Sequence, residues 1–280
     1  MSDMSRNVVS KSLITSLAVS FLAMPLILQA NGAVECGDTI TSRVVLDQDL
    51  LCDVTPALTV TGPTGYLDLN GYTLSCDGAT VGILVNGMSA IVSGGVFKDG
   101  FVSNCNTGIS VEGSGIHNLL GLNTSGNSSS GIEFVSSNNT LIQSNISDNT
   151  GTGIIIAGGS NNLFSNDISR NEITGIQVDG SSSIISSNTV SDNVLTGIQI
   201  NNAGSCLISQ NTVENNGTEG SNTAGILMEL FGQTGNSIVG NTVSGNEDFD
   251  LQDDNSEPCE NSWIGNTPDA TTSGECVTSN

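Results

Sequence analysis

The sequence predicts an all-β fold: a right-handed, single-stranded parallel β-helix, a solenoid of about 22 residues per coil with three short strands in each coil. Three observations predict it. Gly-Ile pairs recur at 108–109, 131–132, 153–154, 175–176, 197–198 and 225–226. Apolar residues keep the same phase in three separate columns, and asparagines repeat between them at the same interval. Repetition at a fixed period of 20–50 residues is the signature of a stacked array, in which each unit buries its apolar face only against its neighbours.

Each column has a physical reading. Two residues after each Ile stand Val111, Phe134, Ile156, Val178, Ile200 and Met228, the alternation of a strand with one buried face. A second apolar column runs through Leu119, Leu141, Leu163, Ile185, Ile208 and Ile238, and a third through Ile146, Ile168, Val190, Val213 and Val243. Residues that suit turns separate them. Stacked coils lie about 4.8 Å apart, so equivalent residues sit directly over one another. Asn127, Asn149, Asn171, Asn193, Asn216 and Asn246 form one such stack, and Asn166, Asn188, Asn211, Asn241 and Asn266 another. Stacked amides hydrogen-bond along the axis. A Thr/Ser column (Thr107, Ser130, Thr152, Thr174, Thr196) precedes the glycines. All of these columns are read as structural.

The ends depart from the repeat. Arg6 and Lys11 precede an apolar run from Leu13 to Leu28, followed by the small residues Ala30, Gly32 and Ala33. That order is expected of a cleaved secretory signal over 1–33, and the run is short for a membrane span. Residues 34–80 are expected to form an N-terminal cap and the first coils, 81–249 the repeats, and 250–280 an irregular, disulfide-bonded C-terminal cap.

Seven cysteines all follow residue 33, and an exported chain with this usage is expected to form disulfides. Cys36 with Cys52 and Cys259 with Cys276 are expected as local bridges at the ends. Cys76 with Cys105 is expected to tie one coil to the next. Cys206, in a turn column with Asn139, Asn161 and Ser183, is left as the unpaired thiol.

Composition narrows the partners. The chain carries 28 acidic against 5 basic side chains, a formal charge of −23. Beyond residue 33 the basic ones are Arg43, Lys98 and Arg170. Such a chain repels phosphate backbones, so nucleic acid is not an expected partner. Arg170 is expected to stack between Asp148 and Asp192 as a surface ion-pair ladder. The single histidine, His117, falls in a turn column and is expected at the surface. Five Asn-x-Ser/Thr sequons begin at Asn123, Asn127, Asn138, Asn145 and Asn216.

The Gly-Ile coils resemble the parallel β-helix (PbH1) repeats of the pectin-lyase-like superfamily, including NosD-type periplasmic proteins. Leu67-Asp68-Leu69-Asn70-Gly71-Tyr72-Thr73-Leu74 resembles the strand that opens many such domains, and Cys259…Asn261-Ser262-Trp263…Asn266…Cys276 is similar to the end of secreted members. The resemblance spans roughly residues 35–276. It implies the fold and leaves the activity open, since the superfamily holds lyases, hydrolases, epimerases and proteins without known activity. Its lyases imply an Arg or Lys base with Ca²⁺, its hydrolases Gly-His-Gly and Arg-x-Lys, and its epimerases Asp-Pro-His-Glu. None of these motifs is complete here. Copper delivery, linked to NosD-like members, implies soft ligands, of which His117, Met88 and Met228 are the ones on offer.

The expectation is therefore a secreted or cell-surface protein, periplasmic in a bacterium, that binds carbohydrate or a protein partner without catalysis. It needs no cofactor. The alternative is a Ca²⁺-assisted polysaccharide-modifying enzyme using Glu112, Glu133, Asp179 and Glu229 on the outer face of the Gly-Ile sheet. Asp250, Asp253 and Asp254 are the candidate Ca²⁺ ligands, in a cluster with Glu247 and Asp248.

Overall fold

A computed structural model describes residues 33–95, 100–218, 220–221, 223–229, 234–269 and 271–277. The expected signal segment and Lys98 lie outside the described residues. The described chain is a right-handed parallel β-helix of about ten coils with no helical element. Every coil contributes one strand to each of three parallel sheets, of 11, 10 and 10 strands. The first sheet holds the Gly-Ile strands, such as Thr107–Val111 and Ser130–Phe134. The second holds strands such as Asn162–Phe164, and the third strands such as Asp167–Ser169.

The register follows the sequence columns. Ile132 pairs with Ile154, Ile154 with Ile176 and Ile176 with Ile198, while the step to Ile226 is longer. Ile109, Ile132, Ile154, Ile176, Phe134 and Leu163 are fully buried. Fully burying a side chain of this kind contributes roughly 1.5–3 kcal/mol, and the stack repeats that contribution three to four times per coil.

The three corners share one construction. Each places a residue in the left-handed region and follows it with a side chain turned inward. Between the third and first sheets, Asp148 (φ 56°), Arg170 (φ 54°) and Asp192 (φ 57°) precede Asn149, Asn171 and Asn193. Each of these asparagines donates through Nδ2 to the Oδ1 of the next, at 2.8 Å from Asn149 to Asn171 and 2.9 Å from Asn171 to Asn193. That Oδ1 also accepts the preceding asparagine's own backbone amide. The corner between the second and third sheets repeats this with Asn166, Asn188, Asn211, Asn241 and Asn266.

The Gly column follows from this ladder. A Cβ on Gly175 would stand 2.7 Å from the Gly197 carbonyl and 2.8 Å from Asn193 Nδ2. Gly is therefore required wherever another coil's asparagine follows.

Strands run into both end segments, 34–80 and 250–280. Thr39–Ile40 and Leu58–Thr61 continue the first sheet at the N-terminal end with irregular steps, Thr39 pairing with Thr59 and Leu58 with Ile83. Phe249–Asp253 continues it at the other end, paired with Ala224–Met228 on one side and Thr272–Ser273 on the other. Asp250 stands at the Gly column's last position. No further asparagine crowds it, so its own Oδ1 takes the ladder acceptor's place, 2.9 Å from Asn246 Nδ2. Trp263 fills the end of the core and donates through Nε1 to Asp253 Oδ2 at 2.9 Å. Disulfides join Cys36 to Cys52, Cys76 to Cys105 and Cys259 to Cys276, and Cys206 is free and buried.

Candidate functional site

The outer face of the first sheet gathers polar side chains in two adjacent columns. One reads Ser110, Glu133, Ile155, Gln177, Gln199, Leu227 and Gln252, each in register with the next. The other, just past the strand ends, reads Glu112, Val135, Ala157, Asp179, Asn201, Glu229 and Asp254, set by successive backbone hydrogen bonds to the coil before. The alternation of the strand decides this: inward Ile and Val at every second position leave Gln177 and Asp179 facing out.

The two columns bond to each other. Asp179 accepts from Gln177 Nε2 at 2.8 Å and from Asn201 Nδ2 at 2.9 Å. Glu229 accepts from Gln199 Nε2, whose carbonyl accepts the Thr174 hydroxyl at 3.2 Å. Asp254 accepts from Gln252 Nε2 at 2.8 Å, and Glu112 from the Ser110 hydroxyl at 3.1 Å. Two carbonyl oxygens in this network, Asn201 Oδ1 and Gln252 Oε1, are buried with no partner among the described residues. Among the described residues of this face none is Lys, Arg or His.

The four carboxylates expected on this face are all on it, and they are spread along it. At about 4.8 Å per coil, Glu112 and Asp179 are roughly 14 Å apart and Asp179 and Glu229 roughly 10 Å. Glu229 and Asp254 are column neighbours, about 5 Å apart by the same spacing. Asp254 was expected with Asp250 and Asp253 instead, and the strand separates them. Asp250 and Asp253 turn inward and are buried, and Asp254 turns outward. Asp250 is held by the Asn246 side chain and the Asp269 amide, and Asp253 by Asn255 and Trp263. Among the described residues no three His, Cys, Asp or Glu side chains form a metal-holding group.

His117 is a correction. It was expected at the surface and is fully buried at the head of the ladder between the first and second sheets. Its Nδ1 accepts the Ala90 amide at 3.0 Å, so Nε2 carries the proton and donates to the Glu112 carbonyl at 2.9 Å. Burial lowers its pKa below the ordinary histidine value, against the opposing pull of the Glu112 carbonyl. The signal was present in the sequence, since His117 is 22 residues before Asn139. Arg170 pairs with one of its two expected partners, bidentate to Asp148 at 2.8 and 2.9 Å, while Asp192 acts on it through its charge alone. The hydrogen bond to Asp148 raises the Arg170 pKa and lowers that of Asp148. Both side chains are more than half exposed, so the pair adds little stability.

Comparison with known proteins places the chain. The profile of the family described as "Periplasmic copper-binding protein (NosD)" matches residues 64–277. The chain belongs to the NosD family. No curated protein matches it in sequence. Among solved structures, the periplasmic alginate epimerase AlgG superposes with a TM-score of 0.50 at 14% identity, over 78% of this chain and 62% of AlgG. The A-module of the Azotobacter vinelandii mannuronan C-5 epimerase AlgE4 gives 0.51 at 14% identity, over 88% of this chain and 80% of the module. The Dettilon tailspike protein gives 0.51 at 15% identity, over 82% of this chain and 55% of the tailspike. The chain thus spans less than two thirds of AlgG and of the tailspike. At these identities the likeness is one of fold.

The described residues of this NosD-family chain do not fit copper. Both ring nitrogens of His117 are engaged inside the wall. Met228 is buried in the core, with Asn236 Nδ2 3.7 Å from its sulfur, and Met88 is exposed on the coil before His117, bridged to Gly115. Cys206 lies four coils along the corner from His117, about 19 Å at the coil spacing. His117 thus has no ring nitrogen left to hold a soft metal, and it is the single histidine of the sequence.

Proposed function

We propose that this protein is exported and binds neutral carbohydrate along the outer face of its first sheet without modifying it. The observation that carries the reading is the row of carboxylates and carboxamides over the four successive coils from Gln177 to Asp254, each fixed by a neighbour. Fixed acceptors suit the hydroxyl groups of sugars, and side chains already held in place lose little freedom on binding. The acidic face disfavours uronate polymers. Export is supported by the family's periplasmic description and by three disulfides. The absence of turnover is supported by the separation of Glu112, Asp179 and Glu229, and by the burial of the single histidine.

A second reading rests on Glu229 and Asp254. Their backbones stand about 5 Å apart, which lets the two carboxyl groups reach the separation of a retaining glycosidase pair, and the Asn201 and Gln252 carbonyls, without a partner among the described residues, are hard oxygen donors suited to Ca²⁺. One experiment separates the two. The exported chain is screened against neutral and acidic polysaccharides, with Ca²⁺ and with chelator, for both binding and product release. Binding of a neutral glycan without product, weakened by at least about tenfold in Asp179→Ala, is expected. Product release that needs Ca²⁺ and disappears in Glu229→Gln would overturn the binding reading.

A further inference from the structure

From residue 116 on, past the strands that carry Arg43 and Asp68, the second side of the solenoid differs from the other two in its charge. Segments 116–122, 136–144, 158–166, 180–188, 202–211, 234–241 and 261–266 each run from the corner before the second sheet to the corner after it. Together these 58 residues hold no Asp, Glu, Lys or Arg. The chain's 12% charged content would place about seven there. The first sheet's outer face carries the carboxylate row, and the third sheet's outer face carries Asp167 and Glu214.

The same side is also apolar. Among the outward positions of its seven strands are Leu120, Ile142, Phe164, Ile184, Leu207 and Val239. Leu120, Ile142 and Phe164 pair in direct register, so they form an unbroken apolar row over three coils. Ile264 ends the side and is 55% exposed. Polar outward neighbours such as Asn118, Thr140 and Ser186 carry no charge either; no other described element covers these positions, and a half-exposed apolar row on an uncharged face marks an interaction surface.

We infer that this side is a self-association surface on which a second copy of the chain docks, face to face. The charge pattern selects the occupant. A basic partner would be drawn to the carboxylates of the first sheet or to Asp148 and Asp192, not to an uncharged side. Two copies of a chain of formal charge −23 can approach closely only where neither presents charge, and a two-fold arrangement through this side keeps both carboxylate rows apart. The area fits a modest dimer. Seven coils by the width of strand and corners make roughly 30 Å by 20 Å, about 600 Å² against the roughly 800 Å² per partner of a standard interface. The first sheet stays exposed in such a dimer.

Sedimentation velocity on the secreted chain over a range of concentrations tests this. A concentration-dependent dimer is expected, strengthened by added NaCl because salt screens the repulsion between two acidic molecules. Phe164→Glu and the milder Phe164→Ser, each shown by circular dichroism to keep the wild-type fold, are expected to weaken it by at least about tenfold. Thr189→Glu, on the third sheet, is expected to leave it unchanged. A monomer at every concentration and salt, or a dimer indifferent to both Phe164 variants, would overturn the inference. So would a monomer that is depleted by an insoluble neutral polysaccharide in a Phe164-dependent way, which would reassign the side to carbohydrate.

Discussion

His117 Nδ1 accepts the Ala90 amide at 3.0 Å, in the position where Asn139 Oδ1 accepts the amide of His117 itself at 3.0 Å. The histidine thus serves as an asparagine of the ladder, and only while Nδ1 is unprotonated. A proton there would set an N–H against the Ala90 N–H and leave a charge in a dry wall.

The pH dependence follows. The folded pKa of His117 is lowered, chiefly by burial, so the unfolded chain takes up the proton first. Stability from this group is fully present above the ordinary histidine value of about 6.5 and falls as pH drops below it, until the lower folded value is reached. Denaturation midpoints measured from pH 8 to pH 5 should fall more steeply in the wild type than in His117→Asn, which keeps an acceptor and cannot titrate. Parallel curves would mean that Ala90 finds another acceptor.

Asn171 should be among the costliest single positions in the protein. Its Oδ1 accepts both the amide and Nδ2 of Asn149, and its Nδ2 donates to Asn193 Oδ1 and to the Ile146 carbonyl. Asn171→Ala strands two buried donors of Asn149, at about 1–3 kcal/mol each. A loss of roughly 3–5 kcal/mol is expected from urea unfolding. Asn171→Asp should also destabilise, because a carboxylate there faces the Asn193 oxygen. A loss below about 1 kcal/mol would show that the ladder is redundant with the sheets.

Much of this construction was legible from the sequence, because a stacked fold writes each contact as a column. The inward apolar residues, two asparagine ladders, the outward placement of Asp179 and the pairing of Arg170 with Asp148 all follow from spacing alone. His117 was misread because residue type was weighed above its place in the column. Asp250-Leu251 aligns one coil beyond Gly225-Ile226, but the inward turn of Asp250 and Asp253 was not legible, since only a terminal coil, with no neighbour to force glycine, admits a side chain there. The hydrogen bonds that fix Asp179 and Glu229 were not legible, since they depend on which amide rotamer meets which carboxylate. The uncharged second side was present in the sequence throughout, scattered over seven separate segments that only the fold brings together.

Cys206 replaces an asparagine in the same ladder as His117, between Ser183 and Asn236, and its amide donates to Asn236 Oδ1 at 2.9 Å. The thiol is buried beside the Gly180 and Gly204 carbonyls, and burial raises its pKa. A buried thiol of this kind is inert. A thiol reagent at pH 8 is expected to leave the native protein unmodified and to label it once after denaturation without reductant. Rapid labelling of the native state would mean that this corner opens.

Ile116 is the outlier of the left-handed corners. It stands at φ 64° where the following coils place Asn138, Ser160, Ser182, Ser205 and Gly235. A β-branched residue in that region is strained, by roughly 1–2 kcal/mol. Its side chain is 52% exposed, so little burial offsets the strain. Ile116→Asn supplies the residue type that the next coil uses, and should raise stability by about 1 kcal/mol. The measurement is the urea midpoint at unchanged m-value, which reports stability rather than compactness. A midpoint that falls would assign Ile116 a packing role at the head of the second side, worth more than its strain. In that case Ile116→Val, which keeps the branched side chain, should recover part of the loss and Ile116→Gly none of it.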